Sequence, residues 1–287
     1  MTRPWALARR ITAVIVGLLV IVVAVLNVIS LARQHHRYRL PEIRLAVPTD
    51  SVSLRYGAHL VTAVAACTSC HGADLGGMVA FDHPLLGRFV AANLTDGAGG
   101  IARTRTDQDL ARAIRHGVGR NGRPLLFMPS DAYQGLSDRD LAAIIAYIRA
   151  VPPVDRHLPA TRVGPLGRAL HVLGFPLMSA EKIDHHTRSV TRQPRIGAGY
   201  GRYLATVAGC RGCHGPALNG GAGPGPGLTS GALAGWTETD FRRAVREGRR
   251  PDGAVIQEPM PWRNYANLTD AEVRALWLYV RSLTPPG

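Results

Sequence analysis

Cys67-Thr68-Ser69-Cys70-His71-Gly72 and Cys210-Arg211-Gly212-Cys213-His214-Gly215 are the two stretches on which the reading of this chain turns. They hold all four cysteines, paired with two residues between partners, and a histidine follows each pair at once. With 11 His among 287 residues, chance would put a histidine after both pairs in roughly one chain in 700. The surroundings repeat as well. Tyr56-Gly57-Ala58-His59-Leu60 leads into the first pair and Tyr200-Gly201-Arg202-Tyr203-Leu204 into the second. Downstream, an offset of 131 pairs Thr106 with Thr237, Asp109 with Asp240, Arg115 with Arg246 and Gly117 with Gly248. An offset of 132 then pairs Met128-Pro129 with Met260-Pro261, Tyr133 with Tyr265, Asp138 with Asp270 and Tyr147 with Tyr279. The chain carries one module twice, and that must be settled before any element is named.

Cys-x-x-Cys-His is the signature of c-type haem attachment. Two thiols at this spacing reach the two vinyl groups on neighbouring edges of one porphyrin, and the next residue turns an imidazole toward the iron. Two covalently bound haem c groups are therefore expected, one on Cys67, Cys70 and His71, the other on Cys210, Cys213 and His214. A Cys₄ zinc ribbon needs its pairs some 15–20 residues apart, whereas 139 residues separate Cys70 from Cys210. A thioredoxin-like redox pair calls for a βαβ context and has no need of the histidine. Covalent attachment also suits domains of about 100 residues in a chain with only 6% aromatics.

The sixth ligand decides between carriage and catalysis, because an iron held from both faces leaves no position for substrate. A lone methionine is usually core filler. Met128 and Met260, however, occupy matched places, 57 and 46 residues after His71 and His214, each followed by proline. They are read as iron ligands. Met78 lies too near His71, Met178 has no counterpart, and His83 and His116 stay open as alternatives at the first iron.

Each copy ends in an amphipathic helix. Ser137–Asp140 and Thr269–Glu272 have the form of capping boxes, and Leu141, Ile144, Ile145, Ile148 and Val273, Leu276, Trp277, Val280 follow the 3.6-residue stripe. Residues 106–116 and 237–247 read as middle helices, and 52–65 and 199–208 as helices leading into the cysteines. No strand pattern of period 2 stands out, so the domains are expected to be mainly α-helical.

Ile11–Leu31 is a run of 21 residues without charge, about 31 Å long as a helix. It exceeds the apolar core of a cleavable signal and no Ala-x-Ala-like site closes it, so it reads as an uncleaved membrane anchor. Arginines flank both ends, so charge alone does not set its orientation. The formal charge of +14 invites a nucleic-acid reading. Ten of the fourteen excess charges fall in residues 1–45 and 153–195, which fits a membrane-proximal strip better than a DNA-binding face, and no nucleic-acid partner is expected. Arg242, Arg243, Arg246, Arg249 and Arg250 read as a solvated helix face, with a docking patch for an acidic partner as the alternative. The expected organisation is an anchor and basic segment at 1–45, domain 1 at 46–152, a Pro-rich linker at 153–195 lying on the domains, with a short helix near 166–173, and domain 2 at 196–287.

With these motifs in hand, the chain resembles a membrane-anchored di-haem cytochrome c built of two class I-type domains, over roughly residues 50–152 and 196–285. The resemblance implies a small helical fold around each haem, with Gly57 and Gly201 on the first helix packing near Tyr147 and Tyr279 on the last. It implies low-spin iron held by His71 and Met128 in one domain and by His214 and Met260 in the other. It further implies an electron carrier or cytochrome subunit rather than an enzyme. Similar proteins take electrons from periplasmic dehydrogenases or quinol-oxidising complexes and hand them to oxidases or soluble cytochromes. Because haem is attached outside the bacterial cytoplasmic membrane, residues 32–287 are expected in the periplasm. Pro226 fits the family's proline whose carbonyl orients the proximal histidine; Ala92 stands at the matching place in the first copy, and Trp236 faces Arg105. Unequal reduction potentials are expected from that asymmetry. The rivals are a di-haem cytochrome c peroxidase, which opens one iron, a haem-based ligand sensor, and a purely structural subunit.

Overall fold

A run without charge such as Ile11–Leu31 could satisfy all its backbone groups within a bilayer only as a helix, and helix α1 spans Pro4–His35. The coordinates are a computed structural model that describes residues 4–175, 177–186, 196–221 and 223–284. Arg3 of the basic flank, Pro176 and Pro194 of the linker, and residues 285–287 lie outside the described residues.

The first module runs α2 (Ser51–His59), a π-helical turn (Leu60–Val64), α3 (Thr68–His71), β1 (Met78–His83), β2 (Gly87–Ala91), α4 (Asp107–His116), α5 (Ser130–Tyr133) and α6 (Asp138–Ala150). β3 (Arg162–Val163) and α7 (Pro165–Val172) follow, then the second module: α8 (Ala198–Val207), α9 (Cys210–His214), α10 (Glu238–Glu247), α11 (Trp262–Tyr265) and α12 (Asp270–Arg281). The fold is mostly helical, as the periodicities predict.

First and last helices cross closely in each half, α2 on α6 and α8 on α12, and a glycine makes each crossing feasible. A Cβ on Gly57 would fall on the Ala143 carbonyl and 3.0 Å from Tyr147 Cβ; one on Gly201 would fall on the Ala275 carbonyl and 2.7 Å from Tyr279 Cβ. The middle helix is tied to the last one by a repeated arginine. Arg115 donates to the Leu136 carbonyl and to Asp138, and Arg246 to the Leu268 carbonyl and to Asp270. Arg246 therefore has a structural task, which separates it from the rest of the arginine cluster. Thr106, Thr237 and Thr269 close reciprocal capping boxes with Asp109, Asp240 and Glu272.

Two features depart from the sequence reading. The first is an antiparallel sheet, β1-β2-β3, with a bulge between Val79 and Phe81. Most of its side chains are exposed or half-buried on both faces, so no period-2 alternation marked it. The second is how closely the Pro-rich segment, expected as a linker lying on the domains, packs on the first module among its described residues. β3 completes the sheet, Asn93 donates to the Val154 carbonyl at 2.7 Å, and Arg156 pairs with Asp74 at 2.9 Å. Its short helix α7 packs along α1.

Candidate haem-attachment sites

Both cysteine pairs sit on a single helical turn that opens at the end of the first helix. Ala66, with φ of 48°, redirects the chain before Cys67, and Gly209, with φ of 74°, does so before Cys210. Within the first turn Cys70 N donates to the Cys67 carbonyl at 3.2 Å and His71 N to the same oxygen at 2.9 Å, so both thiols and the imidazole project from one turn. Gly72 and Gly215 then end the turns at φ of 80° and 86°, where a side chain would be strained.

A repeated loop fixes each imidazole. Leu75 and Leu218 both adopt φ of 56°, and both are buried. Each holds the following strap by its carbonyl, accepting from Leu94 N at 2.8 Å and from Leu228 N at 2.7 Å. Those straps deliver the carbonyls of Ala92 and Pro226 to the histidines. His71 Nδ1 donates to Ala92 at 2.8 Å and His214 Nδ1 donates to Pro226 at 2.7 Å. A carbonyl can only accept, so Nδ1 carries the proton and Nε2 keeps its lone pair for a metal. Alanine does the work of proline here because only the backbone oxygen is used. Gly225 is required for the second site, since a Cβ there would lie 2.7 Å from His214 Nδ1.

The methionines reach the same region through a link that the sequence reading left without a role. Met128-Pro129 leads into α5, whose Tyr133 hydroxyl donates to the Ala65 carbonyl at 2.8 Å, two residues before Cys67. Met260-Pro261 leads into α11, whose Tyr265 hydroxyl donates to the Ala208 carbonyl at 2.6 Å, two residues before Cys210. Both methionines are half-buried against the core. The repeat of Tyr133 with Tyr265 was the available signal for this tie. His83 Nδ1 accepts from the Leu85 and Leu86 amides, and His116 Nδ1 faces His185 Nδ1 at 3.1 Å, so the two alternative ligands have partners of their own.

The donor set fits haem c. All four thiols are free, and burial pushes Cys67 up to about 12 and Cys210 up to about 11, away from the low values that mark redox-active thiolates. Burial also lowers the His71 imidazole, against the bond to the Ala92 carbonyl, and so favours the neutral ring that a metal takes. Among the described residues no three His, Cys, Asp or Glu side chains converge as a metal cluster would need.

The sequence profile described as cytochrome c oxidase, cbb3-type, subunit III matches residues 53–148 and 195–280, more than half of the chain. The chain belongs to this cytochrome c family. Membership carries covalently bound haem c and electron transfer as the chemistry of the fold. This cytochrome c is 27% identical over 256 residues to the gluconate 2-dehydrogenase cytochrome c subunit of Pantoea cypripedii, covering 76% of the chain and 56% of that protein. It is 27% identical over 268 residues to the fructose dehydrogenase cytochrome subunit of Gluconobacter japonicus, covering 78% and 51%. A shorter match, 36% identical over 47 residues, is to the cytochrome c subunit of the quinone-dependent alcohol dehydrogenase of Gluconobacter oxydans, covering 16% and 10%. The cytochrome spans about half the length of the first two of these relatives.

The two halves meet at the attachment region. Asn264 on α11 donates to Thr68 Oγ1 at 2.9 Å and to the Thr62 carbonyl at 3.2 Å, and Ser69 Oγ donates to Asn264 Oδ1 at 2.8 Å. The helix that follows Met260 thus touches the residues between Cys67 and Cys70.

Proposed function

We propose that this cytochrome carries two haems, one per half, and relays single electrons from a dehydrogenase or quinol-oxidising complex to a downstream acceptor such as an oxidase or soluble cytochrome. The observation that carries the reading is the duplicated Tyr–carbonyl tie. In each half it joins the segment bearing Met128 or Met260 to the segment bearing the cysteines and His71 or His214. Haem supplies a one-electron couple at its iron. The chain's part would be to hold that iron: His71 and His214 would bind it through Nε2 and Met128 and Met260 through sulfur, while the cysteines would tie the haem through thioether bonds. A thioether ligand also favours the ferrous form and raises the potential. The dehydrogenase partner is inferred from relatives whose names make them cytochrome subunits of dehydrogenases.

The helix α1 fits a membrane anchor: its apolar window is 6% buried in the protein. Because covalent haem attachment takes place on the outer face of the bacterial cytoplasmic membrane, the two modules belong in the periplasm, tethered by one N-terminal span.

The test is stoichiometry and spectrum. Purified full chain should yield two haems per polypeptide, and C67A/C70A should lower that to one. Methionine-to-iron charge-transfer absorption should come from both haems. A high-spin ferric component that grows on partial reduction would instead support the peroxidase reading, and one haem per chain would end the relay.

A further inference from the structure

The outward face of α7 is apolar and has no covering among the described residues. Leu166, Leu170 and Leu173 follow at i, i+4 and i+7, exposed by 44, 38 and 71%. Leu85, at the turn between β1 and β2, extends the patch, because its carbonyl accepts from Leu166 N at 3.1 Å and holds the turn on the start of α7. Phe175 continues it at the other end, 50% exposed. A patch of this kind on a soluble surface would be a liability.

The height of that patch is fixed by α1. Asn27 Nδ2 donates to the Pro165 carbonyl at 3.3 Å, Ser30 Oγ meets His171 Nδ1 at 3.0 Å, and Arg33 makes two bonds of 2.7 Å to Glu181. His171 Nε2 closes the cluster on Glu181 at 3.1 Å. Among the described residues of the anchor, Leu26, Asn27, Ser30, Leu31, Arg33 and Gln34 are sheltered by the protein, while their neighbours Val25, Val28 and Ile29 remain exposed. Asn27 and Ser30 lie inside the apolar run that ends at Leu31. At 1.5 Å per residue the start of α7 is about 6 Å below the end of that run. Helices that lie in a bilayer interface bury their apolar face by about 5–10 Å.

We propose that α7 and the β1–β2 turn form an interfacial collar, seated in the outer lipid leaflet beside α1, which sets the height and tilt of the first haem domain above the membrane. The occupant of the apolar face is lipid acyl chain. Arg37 and Arg39, exposed just beyond the end of α1, suit headgroup phosphates. The proposal rests on the reading of α1 as a membrane span.

The experiment places a nitroxide label at one new cysteine at a time in the haem-loaded full chain, whose own four cysteines are consumed by haem, in phosphatidylethanolamine and phosphatidylglycerol vesicles. L166C and L173C report the collar, V20C the span, and V255C the aqueous surface. Oxygen should reach the L166C and L173C labels several-fold more readily, relative to a water-soluble nickel chelate, than it reaches V255C, at a depth shallower than V20C. Labels at 166 and 173 that read as V255C does, while V20C reads as lipid, would overturn the collar and leave the anchor standing. Exclusion of both reagents from 166 and 173 would overturn it in favour of a protein cover. A water-exposed V20C would remove the span and the collar together.

Discussion

His59 of the first module lies with its Nε2 2.9 Å from both carboxylate oxygens of Glu272 in the second, 213 residues along the chain. The contact is returned in the opposite sense. Tyr203, which holds in the second copy the place of His59, donates to Asp140, which holds in the first the place of Glu272. Tyr56 donates to the same Asp140 at 2.9 Å. A duplicated module docking on itself through a pseudo-two-fold axis gives reciprocal contacts of this kind. One copy uses a titratable imidazole where the other uses a phenol.

The imidazole makes domain docking pH-dependent. The hydrogen bond to Glu272 raises His59 above its ordinary 6.5, against burial, which lowers it. Burial alone would raise the Glu272 carboxyl, but bonds from His59 and Thr269 together bring it below its ordinary 4.5. A raised histidine contributes fully below its unfolded value and loses that contribution as pH rises through the folded value. A lowered carboxyl contributes above its unfolded value and loses that contribution as pH falls through the folded one. Stability from this pair should therefore be greatest between about pH 4.5 and 6.5 and decline on both sides. Denaturation midpoints measured across pH should show that hump, and H59Q should flatten its alkaline side. E272A should cost roughly 2–4 kcal/mol, since it also removes the carboxylate half of the capping box on α12.

The helix crossings give a sharper stability test. Alanine at Gly57 or Gly201 would drive a methyl into a neighbouring carbonyl, and separating the helices should cost about 1–3 kcal/mol with a lower yield of haem-loaded protein. At Gly197 nothing lies within 4 Å and the backbone is extended, so G197A should be neutral. Thermal melts of the three variants check the order; equal melting temperatures would contradict it.

How much of this was written in the sequence depends on the range of the contact. Caps such as Thr106 with Asp109 are local, and their residues announced themselves. The Ser137–Asp140 pattern was only half right: Ser137 caps the Asp140 amide, but the Asp140 carboxylate is spent on Tyr56 of the same module and on Tyr203 across the domain boundary. That competition is invisible without the partner helix. The sheet was missed because Met78–His83 and Gly87–Ala91 bury neither face cleanly, and β3 hides in a proline-rich stretch that looks like a spacer. The tie from Tyr133 and Tyr265 to Ala65 and Ala208 was present as a repeat, but its meaning needed the fold.

The two attachment sites differ in their shelter, which should separate the potentials of the two haems proposed for them. His214 is buried, 7% exposed, whereas His71 is half-buried, and Cys70 is exposed where Cys213 is half-buried. Greater shelter disfavours the more charged ferric state, and Arg211, between the second pair of cysteines, acts in the same sense. A redox titration should show two waves, the higher one from the second module. M260H should move the higher wave and leave the other in place. A single unresolved wave, or movement of the lower one, would refute the assignment.

The clamp between anchor and domain makes the last prediction. Glu181 accepts from both Arg33 and His171; burial would raise its carboxyl, and those two partners together lower it. Removing the carboxylate leaves His171, 2% exposed, without the acceptor at its Nε2, while its Nδ1 keeps Ser30. The α1–α7 contact should then open more often while the modules stay folded, because none of α2, α6, α8 and α12 packs extensively on α1 or α7 among the described residues. In E181A, amide exchange along α7 should quicken by roughly tenfold, equivalent to about 1.4 kcal/mol of local opening. Exchange in α6 and α12 should be unchanged, and E181Q, which keeps a carbonyl acceptor, should fall between. Equal quickening in α6 would mean that the clamp is part of the global fold instead of a joint between the anchor and the first module.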